Sequence, residues 1–188
     1  MTGKDNFEPF DWGREVSAEI LYTYPLDDPG TIKGLGSGNT LINNSSIVFR
    51  LEYGDHSFLF MGDAEGKTRD GNPETAKYVE HILLDTVAPE KLNATVIKVG
   101  HHGSESSSSL PFIKAVDPEI VVVCSGRKSF GGTYLPDAST LRRFCCHHNS
   151  GIRIYRTDYN DEEEGRVAGT DKDGDHVVIE TNGREIRV

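Results

Sequence analysis

At 188 residues with 36% apolar side chains, the chain is long enough for one domain with a real core and too short for two large ones. Its 30 acidic and 20 basic residues give a net charge of −10, which argues against a phosphate-binding surface over the whole protein, although a bound metal can supply local positive charge. No window reaches the roughly 18 apolar residues of a membrane helix, and the start MTGKDNFEPFDWGREV lacks the apolar core of a signal peptide. Cys124, Cys145 and Cys146 form no disulfide framework, so the chain reads as soluble and cytoplasmic with free thiols.

Residues 1–38 are weakly patterned. SAEILYTY has the composition of a strand, and YPLDDPGTIKGLGSGN reads as a turn-rich connector. Gly34-Leu-Gly-Ser-Gly38 imitates a phosphate loop, but no strong strand precedes it and no helix follows it. From Asn43 the pattern sharpens. SSIVFRLEY and SFLFMG, joined at Gly54-Asp55-His56, predict a hairpin of two buried strands that ends at Asp63.

Asn72-Pro73-Glu74 predicts a helix start, with Tyr78, Val79, Ile82 and Leu83 on one face and an end before Pro89. ATVIKV is the next strand, and it delivers Gly100-His-His-Gly103. A short helix is expected around Leu110–Val116, then the apolar strand EIVVVCSG, whose continuity suits a sheet covered on both faces. Pro136-Asp137 opens a helix through ASTLRRFCCHH, followed by the strand GIRIYRT. HVVIE and REIRV, around Thr181-Asn-Gly183, predict a closing hairpin. Strands and helices alternate through the middle, so the class is α/β with a mixed sheet.

Asp63, His101 and His102 each follow a predicted buried strand within a glycine-flanked loop, where the ligands of α/β sheets gather. Carboxylate and imidazole suit a divalent ion such as zinc, manganese or iron. The same residues also fit a turn cap and two surface histidines. Glu65 reads equally as a support for the site or as an exposed loop acid.

NNSSIVFRLEYGDHSFLFMGDAE followed by ATVIKVGHHGSESSS resembles the C-terminal half of a metallo-β-lactamase-fold hydrolase. Within that superfamily it is most similar to the soluble domain of ComEC-type competence proteins. The likeness runs from about Asn43 to Thr157. It implies one half of an αββα sandwich over residues 39–188, a mixed sheet with helices on its outer face, preceded by the segment 1–38.

It further implies a metal-dependent hydrolase, phosphodiesterase or nuclease in kind, with zinc as the expected ion. Asp63 would bridge the metals and His102 would ligate the second. His101 would stand beside the metals, facing substrate and donating a proton, or serve as a ligand itself. Ser104 would contact substrate and, with the serines after it, line the mouth; the same run also reads as a polar loop.

The sequence departs from that family in three places. It contains no His-x-His, where the family's first motif, His-x-His-x-Asp-His, supplies most ligands. Asn43 and Asn44 fall near where many members place another histidine, and Gly132-Thr-Tyr-Leu-Pro136 replaces a histidine-bearing stretch. Two protein ligands fall short of the usual three plus water. The chain therefore also reads as a catalytically incomplete interaction module, or as a subunit completed by a separate N-terminal half or by self-association. In either case strands such as SIVFRLEY would leave apolar surface uncovered.

Other candidates carry less. Cys145-Cys-His-His148 lacks finger spacing, and Asp171–Asp175 places its glycine two positions early for a calcium loop. His81, on a helix after Glu80, reads as a surface residue, and His56 and His176 have no ligand partner in sequence.

Overall fold

A computed structural model describes residues 10–11, 15–25, 27–126, 129–130, 132–145, 151–158 and 176–188. Seven strands form one sheet in chain order: β1 (Phe10–Asp11), β2 (Val16–Tyr22), β3 (Val48–Tyr53), β4 (His56–Phe60), β5 (Val96–Lys98), β6 (Ile120–Val123) and β7 (Arg153–Arg156). The first four pair antiparallel and β4 to β7 run parallel, so the sheet is mixed as expected. The predicted hairpin is present, with Phe49 opposite Phe60 and Leu51 opposite Phe58. The strand before residue 38 belongs to the same sheet, since β2 pairs with β3 from Val16–Tyr53 to Tyr22–Val48.

Strand periodicity assigns the two faces. Leu59, Met61, Ile97, Val99, Val121 and Val123 point to one side, where they meet the helices α3 (Tyr78–Thr86), α4 (Pro89–Leu92), α5 (Leu110–Val116) and α6 (Ala138–Cys145). Val79, Leu83, Leu92, Phe112, Val116 and Phe144 fill that layer, each at most 2% exposed. Two shorter helices precede them, α1 (Pro29–Gly34) and α2 (Asn39–Asn43). The first is capped by Asp28, whose Oδ1 accepts from the Gly30 and Thr31 N–H groups. The connector expected over this stretch is therefore helical in two short pieces, because Asp28 and Pro29 supply a start that outweighs the glycines.

The opposite face is partly covered. Val177 and Ile179, which precede β8 (Glu180–Thr181), and Ile186, in its antiparallel partner β9 (Ile186–Arg187), pack on Val96, Ile120 and Val122. Beside them a groove of about 550 Å³ remains, lined by Leu51, Tyr53, Phe58 and Phe60 among others. Among the described residues no helix is long and apolar enough to cross a membrane.

One helix start differs from expectation. α3 begins at Tyr78, not near Asn72. Asn72 instead closes a local turn, its Oδ1 accepting from the Glu74 N–H at 3.0 Å and its carbonyl from Thr75. A side chain that satisfies the backbone two residues on competes with helix as readily as it caps one.

Candidate functional site

The loops after β4, β5 and β6 meet at the C-terminal edge of the parallel strands. Asp63 lies just past β4. The Gly62 carbonyl accepts from Lys98 Nζ at 2.6 Å and from the His101 N–H at 3.2 Å, while the Asp63 N–H donates to Ser46 Oγ at 2.9 Å. Three elements thus hold one turn. Burial holds the Lys98 ammonium below the usual lysine range, against the pull of Asp63.

The histidine loop is a tight 3-10 turn over Gly100–Gly103 in which both histidines adopt left-handed backbone, φ 43° for His101 and 53° for His102. Such conformations cost on the order of 1 kcal/mol or more each and persist only where the surroundings impose them. The flanking glycines show what imposes them here. A Cβ on Gly100 would stand 2.3 Å from the Ala64 carbonyl oxygen, and one on Gly103 would stand 2.7 Å from Pro136 Cβ, at φ +75°. The glycines let two neighbouring loops close onto the imidazoles. Gly100→Ala is expected to lower unfolding free energy by about 2–3 kcal/mol, because the obstacle is backbone, and urea denaturation measures it.

The two imidazoles diverge. His102 Nδ1 lies 2.6 Å from the Cys124 carbonyl oxygen, which can only accept, so Nδ1 carries the hydrogen and Nε2 is left to ligate. Nε2 faces Asp63 Oδ1 at 3.3 Å, and both side chains are close to half exposed. Two lone pairs this close repel unless a cation, proton or metal, lies between them. Ligands each about 2.0–2.1 Å from a tetrahedral zinc stand about 3.3 Å apart, so the pair matches two corners of such a shell.

His101 turns inward. Its Nδ1 is 3.1 Å from Ser106 Oγ and 3.4 Å from Glu65 Oε1, and its Nε2 is 3.4 Å from Asn43 Nδ2. Asn43 Nδ2 also donates to Glu65 Oε1 at 2.6 Å. Burial pushes the His101 pKa down and the Glu65 pKa up, so both groups are biased toward their neutral forms. The alternatives open for Glu65 resolve to a buried support, 4% exposed. The two asparagines also part company. Asn43 reaches the histidine, whereas Asn44 is fully buried, donating to the Leu35 carbonyl and accepting from the Glu65 N–H.

Ser104 sits behind the histidines rather than at a mouth, at 2% exposure, with its hydroxyl against Ser106 Oγ and Arg69 Nη1. Ser106, Ser107, Ser108 and Ser109 are buried as well. Their N–H groups meet Glu80, which accepts from Ser108 N, Ser109 N and Ser109 Oγ at 2.5–2.8 Å. Their carbonyls meet Arg143, which donates to Ser107 O and Ser108 O. The buried Lys67 ammonium donates to the Thr68, Arg69 and Glu105 carbonyls. Sequence reasoning missed all three charged supports. One signal was present for Glu80, which lies one residue from Val79 and three from Leu83 on the buried arc of α3.

Asp63 and His102 therefore fit part of a metal shell by donor type, tautomer and spacing, and do not complete one. Among the described residues no group of three or more His, Cys, Asp or Glu is placed to hold a metal. His81 pairs with Asp85 on the surface at 3.4 Å, and His176 is exposed. Cys145 is exposed at the end of α6, while 146–148 and 171–175 lie outside the described residues.

No family model matches the chain. It is similar to competence proteins. It is 31% identical over 118 residues to ComE operon protein 3 of Bacillus subtilis, covering 63% of this chain and 13% of that protein. It is 32% identical over 117 residues to Competence protein ComA of Neisseria gonorrhoeae, covering 62% and 14%. It is 33% identical over 85 residues to Recombination protein 2 of Haemophilus influenzae, covering 45% and 9%. The chain spans about one seventh of the length of these relatives or less.

Proposed function

We propose that the chain carries the Asp63–His102 arm of a metal-dependent phosphodiester hydrolase, metallo-β-lactamase-like in fold and directed at nucleic acid. The observation that supports it most is the Cys124 carbonyl fixing His102 Nδ1–H, so that Nε2 and Asp63 Oδ1 converge at 3.3 Å. The likeness to competence and recombination proteins favours the nucleic-acid direction.

When bound, zinc, or manganese or iron in its place, supplies a hydroxide nucleophile and charge neutralisation at the phosphoryl oxygens. Asp63 and His102 would hold it. His101, kept in place by Ser106 and Asn43, borders this pair and is the candidate proton donor. Ser104 holds the loop from behind.

A second reading has an observation of its own. The described residues hold two such ligands rather than three, and the sheet's second face keeps an open apolar groove. Both suit an interaction module, or a subunit completed by a separate N-terminal half or by a second copy.

Elemental analysis of the purified chain, with hydrolysis of bis-p-nitrophenyl phosphate after metal addition, decides between them. The hydrolase reading expects about one or two ions per chain and metal-dependent turnover. Near-zero metal with no hydrolysis overturns it for this chain alone and leaves the interaction module.

A further inference from the structure

The loop after β6 builds a cavity directly against His102. It holds about 280 Å³ and is walled by Cys124, Ser125, Phe130, Leu135 and Thr157. This is below the range of pockets for drug-sized ligands and suits a single flat ring system. Its inner wall is fixed, because Thr157 Oγ1 donates to the Ser125 carbonyl at 2.7 Å and accepts from the Ser125 N–H at 2.9 Å. Phe130 stands on a turn closed by two backbone hydrogen bonds with Thr133, at 2.8 and 3.2 Å, and is 51% exposed. Ser125 Oγ, in the same wall, is buried and has no hydrogen-bond partner among the described residues.

We propose that this cavity is a nucleobase subsite. The base stacks on Phe130, and its polar edge meets the Ser125 hydroxyl. Because His102 lines this cavity and its Nε2 faces Asp63 Oδ1 at 3.3 Å, the attached phosphodiester is directed toward Asp63 and His102. The proposal rests on the phosphodiesterase reading for that last direction only. Stacking is chemically apt because every base offers a π-face, whereas the aliphatic alternatives would leave Ser125 unsatisfied. Charge points the same way. With a net charge of −10, the protein's overall field repels a phosphate backbone, so affinity for a strand must come from contacts to the bases.

The test uses the full chain and fluorescence anisotropy, without added metal. The probes are a labelled thymidine strand of about ten nucleotides and an abasic deoxyribose-phosphate strand of equal length. The thymidine strand is expected to bind about tenfold more tightly or better, and Phe130→Ala to bring the ratio close to one. Phe130→Leu, which keeps apolar volume and loses the flat face, is expected to do the same. Equal affinity for both strands, no binding of either, or a ratio unchanged in both variants overturns the subsite. Because the readout is binding, a missing hydrolysis reaction overturns the hydrolase reading and leaves this ratio standing.

Discussion

Glu80→Ala is expected to lower the free energy of unfolding by about 3–5 kcal/mol, the largest stability loss of any single substitution away from the apolar core. The carboxylate is 1% exposed and accepts three hydrogen bonds from Ser108 and Ser109. Its removal strands two buried N–H groups and takes one acidic neighbour from the Arg143 guanidinium, which keeps Glu105 and Asp137. Glu80→Gln keeps the shape and loses part of the acceptor set, so it should fall between wild type and alanine.

A pH series separates the charge from the packing. Burial pushes the Glu80 pKa from 4.5 up to about 7, so the folded protein holds a proton where the unfolded chain has released it. By linkage, that contribution to stability is complete below about pH 4.5 and is lost as pH rises toward 7. Urea melts at pH 5 and pH 8 should therefore show wild type losing stability relative to Glu80→Gln at the higher pH. A constant difference between the two proteins would place the Glu80 titration elsewhere.

That network also shows where sequence reading stops. The β3–β4 hairpin, the strand entering the histidine loop and α5 were legible because period, glycine and proline act within a few residues. The serine run was legible only as polar, and polarity alone suggested exposure. Its burial depends on partners 28 to 36 residues away, Glu80 on one side and Arg143 on the other. Asp63 and His102 were recognisable as ligand types at strand ends. What decides their roles, the Cys124 carbonyl at 2.6 Å, belongs to a backbone atom 22 residues on that no residue pattern reports. The inward turn of His101 likewise follows from Asn43 and Glu65, which reach it across the sheet edge.

This divergence of adjacent histidines sets the second large effect. Asp63→Ala and His102→Ala are each expected to lower metal affinity and bis-p-nitrophenyl phosphate turnover by about 100-fold or more, because each removes one of the two donors that converge among the described residues. Both side chains are nearly half exposed, so the urea midpoint should barely move. His101→Ala should behave in the opposite sense. It leaves Glu65 buried with one partner fewer, so the midpoint falls, while metal affinity drops by about tenfold, the scale of a supporting group. The contrast matters more than any single number, since a merely structural loop would show stability losses in all three variants and no order among the metal affinities. Equal, small losses of metal in all three would remove Asp63 and His102 as the ligand pair.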